Sequence, residues 1–198
     1  MAYLLRFTGS TNTVDVTDIA LGSNYEIRIK FEFASLGTSR IINMGGSNWI
    51  GSFGNNIIAF YNGVDIRSSA VINTEYVLRI VCVSDSVEMF VDTVSAGTDT
   101  QTGGPTIEEF NRSGTQAFEG DLYYVEIDIN SIPAHNYDPS ATNGTGTILE
   151  DTAGTNDGTL TNFTGTTDSW WVSYGSSALT LTPLSINSSS ISINPAIQ

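Results

Sequence analysis

The chain has 198 residues, 40% of them hydrophobic, which is enough to bury the core of one domain with an appendage. Acidic residues number 21 against seven basic ones, and the resulting charge of −14 repels phosphate backbones and anionic membranes. We therefore expect no nucleic-acid partner. The single cysteine, Cys82, excludes an internal disulfide, and the single histidine, His135, is too few for a catalytic triad or a multi-histidine zinc site.

The start of the chain gives no sign of export. Residues Met1 to Arg6 lack the basic segment and the apolar run of a signal peptide, and no segment approaches the length of a membrane span. From the sequence we expect no membrane insertion. We also expect a protein that stays in the compartment where it is made, or leaves it by lysis or as cargo.

Strand signals dominate the chain, and helix signals are nearly absent. The clearest strand is Tyr25 to Phe33, where odd positions are apolar or aromatic and even positions are charged, as in a sheet with one buried face. Asn62-Gly63 predicts a hairpin because both residues tolerate positive φ, and a second hairpin is predicted to turn at Ser84-Asp85. Short strands are predicted besides these at Tyr3–Phe7, Thr13–Val16, Arg40–Met44 and Asn48–Phe53. Strands at this spacing are typical of a β-sandwich or barrel.

The segment from Phe118 to Ile129 alternates over its second half. As a strand it should turn one set of side chains to the core and the other to water. The inward set is Tyr123, Val125, Ile127 and Ile129, and the outward set is Tyr124, Glu126 and Asp128. With the other strands, the residues expected inside two packed sheets are Ile27, Ile29, Phe31, Leu78, Ile80, Cys82, Val125 and Ile127. Cys82 lies in a nearly continuous apolar run, so we interpret it as a packing residue rather than a nucleophile.

The order of these strands resembles the laminin G-like, or concanavalin A-like, jelly roll over roughly residues 3 to 130. The segments that carry the resemblance are Leu5–Ser10, Val14–Val16, Tyr25–Phe33, Tyr76–Val83, Val87–Asp92 and Phe118–Ile127. Val87–Asp92 is similar to the family's "Y-V-D-G" strand, with Thr93 in place of the glycine, and Phe118–Ile127 to its closing "F-x-G-x-I-x-x-V-x-I" strand. The resemblance implies an antiparallel jelly-roll β-sandwich, and it specifies fold far better than function.

The composition changes after this strand, and we divide the chain at that point. The prediction is a sandwich over residues 1–135, a turn-rich extension packed on it over 136–175, and a C-terminal arm over 176–198. Gly, Thr, Asn and Asp are so dense in the extension that we expect turns there rather than core. Its "Y-D-P-S…N-D-G-T-L-T-N-F…W-V" run resembles the tail of laminin G-like domains in marine bacteriophage structural proteins, which implies a virion component assembled in the host cytoplasm.

The arm is poor in charge and alternates weakly, so it would fray alone. We expect it to pair with a sheet edge of its own domain or of a neighbouring copy, and with Trp170-Trp171 to form the main assembly surface. The candidate assembly residues are Leu181, Leu184, Ile186, Ile191 and Ile193.

The strand from Glu126 to Asn130 also resembles the "E-x-D-x-E" strand of laminarinase-like glycoside hydrolases, which share this fold and use the first and last Glu as nucleophile and acid/base. The third position here is Asn130, which has no carboxyl group, whereas retaining hydrolysis needs two in distinct roles. Asp128 is the alternative second acid. We interpret Glu126 and Asp128 as solvent-facing acids, and we predict no catalytic residue and no enzymatic activity.

Aromatic residues suggest carbohydrate binding, because their flat faces stack on sugar rings. The candidates are Trp49, Tyr61, Tyr124, Trp170 and Trp171, with Tyr123 as a further one. Trp170 and Trp171 are adjacent, so on a strand they would face opposite ways and at most one would be core. Core or interface use is the alternative for each.

The loop acids Asp15, Asp18, Asp92 and Asp151 make calcium conceivable, but no D-x-D-x-D-G spacing is present, and we predict no metal site and no cofactor. The sequence thus indicates a non-enzymatic structural or adhesive protein of a phage virion, as capsid decoration or tail component, with a host-surface glycan as candidate ligand. Other virion proteins or copies of itself are the expected partners. The alternative is a carbohydrate-binding module or a laminarinase-like glycoside hydrolase.

Overall fold

The computed structural model describes residues 2–8, 11–54, 57–61, 65–101, 103–112, 114–142, 144–163 and 170–174, with the backbone alone at 57–59 and 61. Within these ranges the chain is all β, and it contains no helix that could cross a membrane. Strands pair antiparallel in two sheets.

The strands are numbered in chain order. Their bounds are β1 Ala2–Phe7, β2 Thr13–Ala20, β3 Asn24–Phe33, β4 Ser39–Asn43, β5 Trp49–Ser52, β6 Ile57–Tyr61, β7 Asp65–Ser69, β8 Glu75–Val83, β9 Ser86–Val91, β10 Val94–Thr100, β11 Thr106–Phe110, β12 Gly120–Ile129, β13 Ile132–Tyr137, β14 Ile148–Leu149, β15 Gly158–Thr161 and β16 Trp171–Tyr174. Sheet A has the order β10-β9-β8-β3-β12-β1-β16, with β13 also paired to β12, and sheet B has the order β14-β15-β2-β11-β4-β5-β6-β7.

The core lies between the sheets, as the alternation predicts. All eight residues expected inside are at most 1% exposed. β3 supplies a side chain to the core at every second position from Tyr25 to Phe33, and β8 does the same from Tyr76 to Cys82. Burial raises the pKa of the Cys82 thiol, which fits a packing residue. The predicted antiparallel jelly-roll sandwich is confirmed.

One prediction on β12 is wrong. The pairing of β12 with β3 shifts register between Leu122 and Tyr124, so a bulge interrupts the alternation there. Leu122 and Val125 both enter the core, while Tyr123 lies on the opposite face. The centroid of its ring is 4.5 Å from the Lys30 Nζ. A period-2 pattern has no signal for the extra residue of a bulge, and for that reason the sequence placed Tyr123 inside.

The stretch after β12 also differs from the expectation of turns without core. β14 and β15 extend sheet B, and β16 extends sheet A beside β1. The apolar residues of this stretch that join the core are Tyr137, Leu149, Leu160, Trp170 and Trp171. Turn residues dominate its composition because they link very short strands, and a few large side chains suffice to bury those strands.

The predicted hairpins form. β8 and β9 turn at Ser84-Asp85, and β6 pairs with β7, although residues 62–64 of that turn lie outside the described residues. The β9–β10 hairpin turns at Asp92-Thr93, where both residues have positive φ, as two-residue turns of this kind require. Thr93 has φ of 73°, a conformation that suits glycine and disfavours a β-branched side chain.

Thr93→Gly should therefore stabilise the protein by about 0.5 to 1 kcal/mol, because it removes left-handed strain of about 1 to 2 kcal/mol and adds the smaller entropic penalty of glycine. Chemical denaturation measures the change. Thr93→Ala, which keeps a Cβ at the same φ, serves as the control and should show no gain. Equal stability of all three proteins would contradict a strained turn.

Candidate functional site: the outer face of sheet A

The alternation that fills the core also sets charged side chains on the outer face of sheet A. Glu26, Arg28, Lys30 and Glu32 project outward from β3, between Arg79 and its neighbours on β8 and the outward residues of β12. The register aligns Arg28 with Arg79 on one side and with Glu126 on the other, and Glu26 with Asp128. Of these aligned pairs only Arg28 and Glu126 have opposite charges, and the like-charged pairs are compensated by the diagonal ion pairs Arg79–Glu26 and Arg28–Asp128.

Arg28 is the centre of this arrangement, which we call the Arg28 cluster (Glu26, Arg28, Arg79, Glu126 and Asp128). Its guanidinium donates Nε to Glu26 Oε1 at 2.5 Å, Nη1 to Glu126 Oε2 at 2.7 Å and Nη2 to Asp128 Oδ2 at 2.7 Å. Arg79 donates to both oxygens of Glu26, at 2.8 and 2.9 Å. Every charge in the cluster is thus fixed by a charge-assisted hydrogen bond.

The ion pairs of the cluster favour the ionised forms of Glu26 and Arg28. The hydrogen bond from Arg79 is the main reason that the pKa of Glu26 is lowered, and Arg28 adds to it. Burial alone would lower the pKa of Arg28, but hydrogen bonds to Glu126 and Glu26 outweigh burial and raise it. All five side chains lie at an exposed or half-buried surface, where isolated ion pairs contribute little stability and a connected network contributes more.

Tyrosine rings lie beside the cluster toward β16. The Lys30 Nζ is 2.7 Å from Glu75 Oε2 and lies over the ring of Tyr123, which meets the ring of Tyr174 edge to face at 5.0 Å between centroids. Tyr124 is half-buried on the same side of β12, where burial and then the Glu126 carboxylate raise its pKa. The face thus combines fixed charges with aromatic surface.

A cavity opens at each end of the face. The first has about 390 Å³ and lies where β3 begins, and the second has about 310 Å³ and lies where β3 ends. Polar side chains line both. Those of the first are Asn24, Glu26, Asp128, Asn130 and Ser131, and those of the second are Arg6, Thr8, Glu32, Asn73, Glu119 and Asp121.

Both acids of the hydrolase-like strand belong to the Arg28 cluster. Glu126 and Asp128 each bind Arg28 through one oxygen, and Asn130 lies beyond the strand in the β12–β13 turn at φ of 54°. The arrangement is an ion-pair network. Acid/base catalysis requires two carboxyl groups in different environments, and this network does not present such a pair.

Of the predicted sugar-binding aromatics, Tyr123 and Tyr124 lie on the outer face of sheet A. The other candidates whose side chains the structure describes do not join them there. Trp49 is 6% exposed on β5 of sheet B, where Phe53 stacks on it, and the side chain of Tyr61 lies outside the described residues.

The two adjacent tryptophans are both in the core, 7% and 3% exposed, so the expectation that at most one is buried is wrong. Trp170 precedes β16 and packs on Phe163, whereas Trp171 is the first residue of the strand and donates its Nε1 to the Gly146 carbonyl at 2.9 Å. Alternation applies only within a strand, so it did not govern this pair.

The acids considered for calcium lie apart. Asp15 and Asp18 are on β2, where Thr13 and Thr161 donate to Asp15. Asp92 is in the β9–β10 turn, and Asp151 is buried after β14. In the ranges that the structure describes, no group of three or more His, Cys, Asp or Glu side chains is arranged to hold a metal ion.

Sequence reasoning missed the positive members of the site, Arg28, Arg79 and Lys30, together with Tyr174. The charged even positions of β3 were a visible signal for Arg28 and Lys30. Their proximity to Glu126 and Asp128 depends on the strand order β8-β3-β12. The alternation of residues along each strand does not predict that order. The assembly residues Leu181, Leu184, Ile186, Ile191 and Ile193 lie outside the described residues, and their role stays a prediction.

No protein-family model matches the sequence, and no curated protein matches it. Among solved structures, the chain is similar to one from Bacteroides ovatus ATCC 8483 described as a "putative carbohydrate binding protein", with a TM-score of 0.65 and 11% identity. That match covers 81% of this chain and 58% of the other, and it shows the fold alone.

Weaker likenesses were found to a native heptameric SAP-like pentraxin from Limulus polyphemus and to alginate lyase AlgAT5 of polysaccharide lyase family 7. The pentraxin has a TM-score of 0.46 at 10% identity, over 64% of this chain and 75% of its own. The lyase has a TM-score of 0.40 at 12% identity, over 57% of this chain and 62% of its own.

Proposed function

We propose that the protein is a non-catalytic adhesive module that binds a glycan on the outer face of sheet A. The observation that carries the proposal is the Arg28 cluster beside Tyr124 and Tyr174. Sugar hydroxyls need fixed donors and acceptors, and sugar rings need flat apolar surface. This face offers both. With the cavities at its two ends, the candidate binding surface extends over the length of β3, which is about 30 Å for ten residues.

The fixed geometry of the cluster supports binding. Because each charged group is held by its neighbours, little side-chain freedom remains to be lost when a ligand docks. The same ion pairs argue against hydrolysis, since Glu126 and Asp128 already serve as acceptors for Arg28. A laminarinase-like activity would have to free one of them as a proton donor.

The biological setting rests on the sequence resemblance to marine bacteriophage structural proteins. In that setting the module is part of a virion, held by other virion proteins or by copies of itself, and it attaches the particle to a glycan of the host surface. The Bacteroides ovatus protein of this fold is described as carbohydrate-binding, which supports glycan binding here. It does not bear on the virion.

Tyr124→Ala should weaken glycan binding at least tenfold, since stacking of one aromatic ring contributes about 1.5 kcal/mol. Glycan-array screening identifies a ligand, and titration calorimetry then compares the variants. The matched control is Phe53→Ala, which removes a 42% exposed aromatic ring beside sheet B and should leave the affinity unchanged. Tyr124→Phe, which keeps the aromatic ring, should retain most of the wild-type affinity for the glycan.

Three results would contradict the proposal. The first is a wild-type protein that binds no glycan on a broad array. The second is an equal loss of affinity in Phe53→Ala and Tyr124→Ala, and the third is turnover of β-glucan, agarose or alginate by the wild type that Glu126→Gln abolishes. Thermal unfolding of each variant confirms that the fold is intact.

A further inference from the structure

The basic groups on the outer face of sheet A are already bound to carboxylates of the same face. Arg6 pairs with both oxygens of Asp121 at 2.7 Å, Lys30 pairs with Glu75, and the two arginines of the Arg28 cluster pair with its three acids. Each of these cations is therefore already neutralised by at least one carboxylate, which weakens its attraction for an anionic ligand.

The acidic groups of the face are in excess. Four basic side chains face seven acids, which are Glu26, Glu32, Glu75, Glu88, Asp121, Glu126 and Asp128. Within the described residues, Glu126 Oε1 and Asp128 Oδ1 have no protein donor, because each residue uses its other oxygen for Arg28. Glu126 lies beside Tyr124, whereas Asp128 lies further along β12 and lines the first cavity.

From this we infer, on the basis of the proposed function, that the glycan bound here carries no carboxylate or sulfate and that an amino sugar binds more tightly than its N-acetylated form. A carboxylate oxygen accepts a hydrogen bond from a hydroxyl and a stronger one from an ammonium group. A ligand anion would meet uncompensated negative charge on this face and on a protein of net charge −14.

The test has two stages. An array holding neutral β-glucans, agarose, chito-oligosaccharides, glucosamine oligomers, alginate and sulfated carrageenan should retain the protein only on members without anionic groups. Calorimetry then compares glucosamine and N-acetylglucosamine oligomers of equal length. The free amine should bind about threefold to tenfold more tightly at 20 mM salt, and this preference should shrink at 500 mM salt.

Glu126→Gln should reduce the preference for the free amine to less than about twofold, because it removes one of the two accepting carboxylates. Glu150→Gln removes the same charge from an exposed position after β14 on sheet B, and it should leave the preference unchanged. Equal loss in both variants would show a general charge effect and would overturn the assignment to this face.

The outcomes separate the two proposals. Retention on alginate or carrageenan that Tyr124→Ala abolishes overturns the inference and leaves the proposed function standing. Equal affinity for the amine and its N-acetylated form also overturns the inference alone. A protein that is retained by no member of the array overturns the proposed function, and the inference with it.

Discussion

Replacing Asp151 by alanine is expected to lower the free energy of unfolding by about 3 to 5 kcal/mol. Its side chain is 0% exposed and is surrounded by donors. His135 Nδ1 lies 2.6 Å from Oδ2, and the backbone N–H groups of Asn136, Gly154 and Asn156 donate at 2.9, 2.9 and 3.2 Å. Alanine would leave these donors buried without an acceptor, and the segment that joins β13 to β15 depends on them.

The same contacts give this residue a defined pH dependence. Burial alone would raise the pKa of Asp151, but the hydrogen bonds from His135 and the backbone outweigh burial and lower it. The folded protein therefore binds this proton less readily than the unfolded chain does. The stabilisation is complete above the unfolded pKa of roughly 4, and it is lost as the pH falls through the folded value. The difference in Tm between wild type and Asp151→Asn should thus shrink below about pH 4.

Asp92→Asn is the matched control for this prediction. Asp92 is exposed and accepts one hydrogen bond from the Val77 N–H at 2.8 Å. Asparagine keeps an oxygen that can accept it, so the substitution should change the unfolding free energy by less than about 1 kcal/mol. Denaturant unfolding at pH 7 provides the comparison. If Asp151→Asn proved as stable at pH 7 as Asp92→Asn, the Asp151 carboxylate would not stabilise the surrounding loops.

Much of the sandwich could be predicted because its central strands are regular. β3 and β8 alternate without interruption, and a period of two fixes which side chains face inward once a strand has one buried face. β10 was not predicted, since its sequence carries little apolar signal, and it lies at the edge of sheet A with most side chains exposed. β14 and β16 are only two and four residues long, too short for any periodicity to show.

The candidate site was harder to predict than the fold, because it depends on contacts between strands distant in sequence. Glu126 and Asp128 were correctly placed on the outer face. Their partner Arg28 lies about a hundred residues earlier, and only the β3–β12 register brings them together. The bulge at Tyr123 had no signal in the alternation, and so the tyrosine that contacts Lys30 was assigned to the core.

Gly120→Ala should destabilise the protein by about 2 to 4 kcal/mol, because both its conformation and its surroundings require glycine. Its φ is +154°, and an added Cβ would lie 2.0 Å from the Glu32 carbonyl oxygen and 2.8 Å from the Phe118 ring. Phe118 packs against Phe33 in the core, so the ring has little room to retreat. Gly37→Ala is the control, since a Cβ there meets nothing within 4 Å, and it should change the Tm little. Thermal unfolding decides the matter: equal Tm values for the two variants would mean that β12 can shift away from β3 at its first residue.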